Sequence, residues 1–248
     1  MRGRRLIIGV ILILAAAVIV FFRTYDGKPG PLPNVDEIIA ELNEYDAEAD
    51  AAVVLNKVKL TEQQVFIPFV SSQGIHGMGF LKWEKRKWSV ARVDMSGRPE
   101  VRVTNHSDPS GRYVVWNNNP LEKVKEFRFY LIRDRNAGMS HGEYYYVPRV
   151  QMEMLVNVTE HPYGAMPFPD EWAAIMREDE KLGQASSANI MDNIFSQSYS
   201  QPSTIDVGYY PVYANDAPQP GSSSKSGDKD TEFVMIMNEK DLERPQNE

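Results

Sequence analysis

The segment RVQMEMLVNV, residues 149–158, alternates apolar and polar side chains along its length. Its even-numbered positions are all valine or methionine, whereas its odd-numbered positions are polar except for Leu155. Successive side chains of a β-strand point to opposite faces, so this period of two places one face on a core and the other in water. The segment predicts the last part of a strand over residues 144–158.

Seven further segments rich in β-branched and aromatic residues precede it, separated by Gly, Pro and Asn turns. Parallel pairing needs long crossover connections, and none lies between these segments. The sequence therefore predicts a mainly antiparallel β (α+β) domain, sandwich or barrel-like, with one or two short helices. The candidate strands are residues 52–59, 64–71, 75–83, 88–95, 100–104, 112–117, 125–133 and 144–158.

Two short helices flank the strands. Asn34 is a good N-cap, and Glu37 three residues later completes a capping box for an amphipathic helix over residues 35–46. A second helix is expected to begin at Pro169-Asp170 and to end near Gly183.

An apolar run begins at Leu6 and ends at Phe22, with no charged residue, and Arg23 follows it. At about 1.5 Å per residue the run spans about 25 Å, which suits one transmembrane helix. The basic excess precedes the run, so the N-terminus is expected in the cytoplasm. A cleaved signal peptide is the alternative, but bulky residues continue past Ala15-Ala16-Ala17, which favours an uncleaved anchor in the lipid bilayer.

This topology predicts a single-pass membrane protein with an extracytoplasmic C-terminal domain. Two short apolar islands interrupt the polar C-terminal region, and they are expected either to pair as a hairpin or to add to a sheet edge, in this chain or a neighbour. The predicted organisation is a cytoplasmic stub at 1–5, the transmembrane helix at 6–22, a Pro/Gly spacer at 23–34, a β-rich domain at 35–183, and a polar, partly disordered region at 184–248 with strand islands at 205–213 and 232–237.

Charge is unevenly distributed along the chain. The net charge is −7, yet residues 81–150 hold 14 Lys/Arg against 8 Asp/Glu. The acidic total and the expected location argue against nucleic acid as a ligand. The absence of cysteine excludes disulfides, thiolate nucleophiles and cysteine-bound zinc.

No catalytic or metal motif stands out. His106, His141 and His161 each have a carboxylate nearby in sequence, but none has the spacing of a metal site, and no serine lies in a nucleophile motif. The sequence therefore predicts no catalytic residue, metal or cofactor. A hydrolase that uses carboxylates or a His-acid pair remains an alternative.

The segment KWEKRKW, residues 82–88, is the strongest candidate for binding. As structure, it predicts two strands joined at a charged turn, with an aromatic pair across them. As function, a cationic turn flanked by tryptophans suits an anionic surface or an acidic protein face. The candidate binding residues are Lys82, Trp83, Lys85, Arg86, Lys87, Trp88 and Arg92.

Three segments resemble uncharacterised, signal-anchored extracytoplasmic proteins of Gram-positive, Bacillus-type bacteria. They are the Gly79-Phe80 to Trp88 hairpin, Tyr113-Val-Val-Trp116 and Phe129-Tyr-Leu-Ile-Arg133. The resemblance implies a location in the cell envelope and transfers no functional residue.

Together these observations predict a non-enzymatic accessory protein that binds an envelope protein or an anionic surface polymer. A further alternative is a subunit of a larger membrane complex, with the C-terminal islands donating strands to neighbours. The sequence leaves the choice between a monomer and a homo- or hetero-oligomer open.

Overall fold

A computed structural model describes residues 27–140, 143–187, 205–214, 228–232 and 234–243. The anchor residues Leu6, Phe22 and Arg23 lie outside these ranges. Within them, no helix combines the length and the apolar character needed to cross a membrane. The chain divides into two compact units, unit 1 (Met1–Met95) and unit 2 (Ser96–Glu248), and the described part is mainly antiparallel β with two helices.

The described part of unit 1, from residue 27 onward, has one α-helix and a five-stranded antiparallel sheet in the order β1-β3-β4-β5, with β2 also paired to β3. The predicted capping box forms, because the Asn34 side chain accepts from the Glu37 N–H and the Glu37 carboxylate accepts from the Asn34 N–H. The elements are α1 (Val35–Tyr45), β1 (Ala51–Val54), β2 (Val58–Thr61), β3 (Gln64–Ser71), β4 (His76–Glu84) and β5 (Lys87–Asp94).

The core of unit 1 lies between α1 and one face of the sheet. Ile38 and Leu42 of α1 are fully buried in one cluster with Ile67 and Leu81. A Cβ at Gly79 would lie 2.6 Å from a methyl group of Leu42, so the helix approaches β4 where only glycine leaves room. This packing fixes the position of the β4–β5 hairpin.

Unit 2 contains two four-stranded sheets in the orders β12-β7-β6-β14 and β11-β8-β13-β15. Both sheets contribute to one hydrophobic core, which makes the unit a sandwich. Its strands are β6 (Glu100–Val103), β7 (Arg112–Asn117), β8 (Val124–Arg133), β9 (Asn136–Ser140), β10 (Glu143–Val147), β11 (Val150–Asn157), β12 (Tyr163–Pro167), β13 (Ile205–Tyr213), β14 (Thr231–Glu232) and β15 (Met235–Ile236).

The alternation that predicted the last strand is confirmed in β11. Met154, Val156 and Val158 are buried in the core, whereas Glu153 and Leu155 are exposed. β11 pairs along its whole length with β8. β11 is the edge strand of its sheet, and β8 lies between β11 and β13.

The single strand predicted over 144–158 is wrong. The chain forms β10 and β11 instead, and Pro148 lies in the break between them. Proline has no N–H for a ladder and restricts the residue before it, so a continuous strand is disfavoured there. The prediction over 52–59 is likewise two strands, β1 and β2, and β9 and β12 were not predicted.

The second helix, α2 (Asp170–Ser187), begins where predicted but continues past Gly183. Trp172 and Met176 on one face of α2 are buried in the sandwich core, as their spacing indicated. A glycine costs about 1 kcal/mol inside a helix but does not by itself end one.

The C-terminal islands lie in the sheets of their own chain. β13 has the predicted bounds, 205–213, and pairs antiparallel with β8. The island at 232–237 is two short strands: β14 pairs with β6, and β15 pairs with β13 in parallel. The islands therefore do not form an antiparallel hairpin with each other.

Candidate functional site

Two residues, Lys85 and Arg86, join β4 to β5. Their φ angles are 53° and 62°, and the flanking pair is Glu84 opposite Lys87. A two-residue loop with positive φ at both positions is a type I′ turn, which strongly favours Asn-Gly. Both residues therefore hold a left-handed conformation that costs a non-glycine side chain about 1 kcal/mol or more.

The two tryptophans of the segment are buried beneath this turn. Trp83 and Trp88 face each other across the hairpin with ring centroids 5.6 Å apart, and they are 9% and 8% exposed. The Trp88 indole N–H donates to the Gly30 carbonyl oxygen at 3.1 Å. Their rings thus hold the hairpin and the preceding segment together, and little of either ring is open to a ligand.

The candidate cations separate into two groups. Lys82 pairs with Glu84 at 3.1 Å, and the buried Arg92 pairs with Asp94 at 3.3 Å. Lys85, Arg86 and Lys87 are exposed at the turn itself. These three residues are called the basic turn below.

One member of the basic turn, Lys87, influences a carboxyl on the acidic face of α1. Burial raises the pKa of the Glu41 carboxyl, and the positive charge of Lys87 acts in the opposite direction. Lys87 therefore lies within electrostatic range of a carboxylate of its own unit. Lys85 and Arg86 occupy the two loop positions between β4 and β5.

A second exposed feature is the hairpin of β9 and β10, called the aromatic arm. Among the described strands, these two pair only with each other. Tyr144 and Tyr146 are 86% and 66% exposed, and Met139 lies directly opposite Tyr144 on the same face. An isolated two-stranded hairpin is marginally stable in water, so an exposed apolar face on one favours a partner.

Unit 2 also carries two clefts. One, the edge groove, has a volume of about 300 Å³ beside the end of β11 and β12 and is lined mainly by apolar and aromatic residues, including Trp116 and Met166. The other, the end cleft, has a cavity volume of about 10 Å³ at one end of the sandwich and is lined by tyrosines, prolines and several polar side chains.

Neither cleft provides an obvious catalytic pair. The edge groove contains His161 without a carboxylate, and the end cleft contains Glu122 without a histidine or a second carboxylate. His106 does contact Asp230 at 2.9 Å, but Asp230 is buried where the C-terminal segment joins β6. No group of three potential metal ligands occurs in the part of the chain that the structure describes.

Sequence reasoning identified the basic turn but missed the aromatic arm and both clefts. The run Tyr144-Tyr145-Tyr146 was a visible signal, because three consecutive tyrosines cannot all face a core from one strand. The clefts bring together residues up to 117 positions apart, such as Ser96 and Tyr213, and no local pattern indicates such a site.

Comparison with known proteins returned no matching family model, no similar curated protein and no similar solved structure.

Proposed function

We propose that this chain is a membrane-tethered, extracytoplasmic binding protein whose basic turn engages an anionic surface polymer of the cell envelope. The observation that carries the proposal is the presence of Lys85 and Arg86 at the two left-handed positions of an exposed type I′ turn. A sequence selected for stability alone would favour Asn-Gly at these positions.

Strained backbone conformations persist where the surrounding structure enforces them, and they concentrate at functional sites. Here the buried Trp83–Trp88 pair enforces the turn, and the turn presents adjacent cations to solvent. Neighbouring exposed cations attract a polyanion more strongly than isolated ones, and salt weakens that attraction.

The tether is proposed from sequence. The run from Leu6 to Phe22 is long enough to span a bilayer, and the arginines that precede it favour a cytoplasmic N-terminus. A Pro/Gly spacer at 23–34 would then keep the folded units close to the outer surface of the membrane.

Reversing the charges of the basic turn tests the proposal. In the full chain, extracted in detergent, Lys85→Glu/Arg86→Glu/Lys87→Glu should bind immobilised polyphosphate at least about tenfold more weakly at low salt, since each exposed pair contributes about 0.2–1 kcal/mol. The difference should shrink as salt shortens the Debye length. Retention in membranes washed with alkaline carbonate should stay unchanged, because that depends on the tether.

The control variant reverses three exposed lysines of unit 2, Lys125, Lys181 and Lys229, and so makes the same change in net charge. It should bind polyphosphate nearly as well as the wild type. Equal losses in both triple variants would mean that total charge matters and the basic turn does not. Binding to anionic lipid vesicles is measured in parallel. Binding to the vesicles and not to polyphosphate would identify a lipid surface, and not a polymer, as the ligand.

A second candidate function is that of a subunit in a larger complex, and the aromatic arm favours it. Residues 136–147 contain one acidic residue, Glu143, and no lysine or arginine. Exposed tyrosine and methionine with few charges are typical of the centre of a protein–protein interface. A protein partner therefore fits the arm better than a polyanion does.

Site-specific crosslinking tests this candidate. A photoreactive amino acid in place of Tyr144 should crosslink to a discrete protein partner in membranes of the native host, and Tyr146→Ser should reduce that product because it removes half of the exposed aromatic face. The same amino acid in place of Val53, which is 53% exposed in unit 1, should give no such product. Identical products at both positions would reject a specific role for the arm.

A further inference from the structure

The walls of the end cleft come from three parts of unit 2 that backbone hydrogen bonds hold together. The Asn117 N–H donates to the Gly97 carbonyl at 2.9 Å, which joins the loop before β6 to the end of β7. The Ala214 N–H donates to the Lys123 carbonyl at 2.8 Å, which joins the end of β13 to the start of β8. The walls of the cleft are therefore fixed to one another by the backbone, and the cleft does not depend on the position of a single loop.

Two polar atoms in residues that line the cleft have no hydrogen-bond partner among the residues that the structure describes. They are the Oδ1 atom of Asn118, a residue that is only 5% exposed, and the hydroxyl of the half-buried Tyr213. A buried polar atom without a partner destabilises the folded state, and natural proteins contain few of them. Two of them in one cleft leave hydrogen bonds that a bound water or the hydroxyl of a ligand can complete.

The chemistry of the lining narrows the class of ligand. Asn118 Oδ1 needs a donor, whereas the Tyr213 hydroxyl and the Arg98 guanidinium can donate, and the Glu122 carboxylate accepts. A hydroxyl group both donates and accepts, so it can complete the hydrogen bonding of Asn118 and Tyr213. Arg98 and Glu122 carry opposite charges, so a neutral ligand fits better than an ion.

The remaining lining is apolar and aromatic. It includes Tyr209, Pro211 and Pro99, which offer surface for the C–H groups of a ring. Burial raises the pKa of both Tyr209 and Tyr213, which keeps their hydroxyls protonated and able to donate. The enclosed inner part of the cleft has room for about one water-sized group, so a ligand would insert a hydroxyl and rest its ring at the mouth.

From this geometry we infer that the end cleft of unit 2 binds a neutral saccharide unit, with a sugar hydroxyl placed between Asn118 and Tyr213. The site is separate from the basic turn and would recognise sugar residues, whether free or within a surface polysaccharide.

Saturation-transfer NMR on the full chain in detergent tests the inference, with glucose, N-acetylglucosamine and a tetramer of the latter as probes. At least one probe should show binding at millimolar concentration. A stronger signal from the tetramer than from the monomer would show that the cleft recognises sugar residues within a polysaccharide and not free sugars. Tyr213→Phe removes one hydroxyl and should weaken binding about fivefold, the effect of one neutral hydrogen bond.

The matched control is Tyr130→Phe. The Tyr130 hydroxyl donates to Glu153 Oε1 at 2.6 Å and does not line the cleft, so saccharide binding should not change. Tyr213→Phe should also unfold at the same or a higher denaturant concentration than the wild type, because it deletes an unpaired hydroxyl. Absence of binding by every probe, or equal binding by the wild type and Tyr213→Phe, would overturn the assignment.

Discussion

A chain truncated before Asp228 is expected to lose the cooperative unfolding transition of unit 2. Truncation removes Val234 and Met237, which are buried, and each such side chain contributes about 1.5–3 kcal/mol. It also removes Asp228 and Thr231, whose oxygens accept from Arg102 Nη1 at 2.8 and 2.6 Å.

Arg102 is 1% exposed in the intact chain, so its charge is buried together with these partners, and truncation removes both of them. Loss of one partner of a buried ion pair costs about 3–5 kcal/mol. The total expected destabilisation exceeds about 5 kcal/mol, which is comparable to the whole stability of a small domain. The segment at 228–243 therefore acts as an integral part of the sandwich.

Two methionines provide a milder, matched version of this experiment. Met237→Ala should lower the free energy of unfolding by about 2–4 kcal/mol, because Met237 is 6% exposed, whereas Met235→Ala should change it by less than about 1 kcal/mol, because Met235 is 45% exposed. Chemical denaturation followed by near-ultraviolet circular dichroism measures both. Equal losses of unfolding free energy in the two variants would mean that Met237 is not buried in the sandwich as described.

Replacing Lys85-Arg86 by Asn-Gly is expected to stabilise unit 1 by about 2 kcal/mol. Asparagine and glycine populate the left-handed region with little penalty, whereas lysine and arginine each lose about 1 kcal/mol there. Both side chains at these positions are exposed. The gain should appear as a higher midpoint of denaturant unfolding.

Lys123→Gly is the matched control for this variant. Lys123 is exposed, has a φ of 56°, and lies in unit 2 at the end of a short 3₁₀ turn. The substitution should stabilise unit 2 by about 1 kcal/mol while leaving the basic turn intact. If Asn-Gly at 85–86 fails to stabilise unit 1 while Lys123→Gly stabilises unit 2, the account of strain in the basic turn is wrong.

Several elements of the fold could be predicted because their signals are local. The bounds of β3, β7 and β13 match the prediction, and α1 ends within one residue of it. In each case hydrophobic periodicity, turn residues or a capping box lie within the element itself. Such signals require no knowledge of the partner strand.

Other elements depended on distant partners and could not be predicted. β12 contains Gly164 and ends at Pro167, which are poor strand residues, yet it forms because β7 provides a ladder for it. The island predicted at 232–237 does form strands, but its division into β14 and β15, of two residues each, depends on pairing with β6 and β13. Tertiary pairing determines these elements, and propensity does not.

Some features of the candidate site could likewise be predicted from local sequence, and others could not. The charges of the basic turn and the tryptophan pair were evident in the sequence, and the predicted cross-strand pairing is confirmed. The type of turn was not evident, because Lys-Arg is a poor sequence for a type I′ turn. The unpartnered atoms of Asn118 and Tyr213 become visible only when the ends of β7 and β13 lie side by side.

The central claim is that the basic turn is retained for binding at a cost in stability. One measurement on one variant tests it most directly. The full chain with Lys85→Asn/Arg86→Gly is compared with the wild type for binding to immobilised polyphosphate at low salt. The account predicts that this variant, although more stable, binds several-fold more weakly. Undiminished binding by the more stable variant would contradict the account.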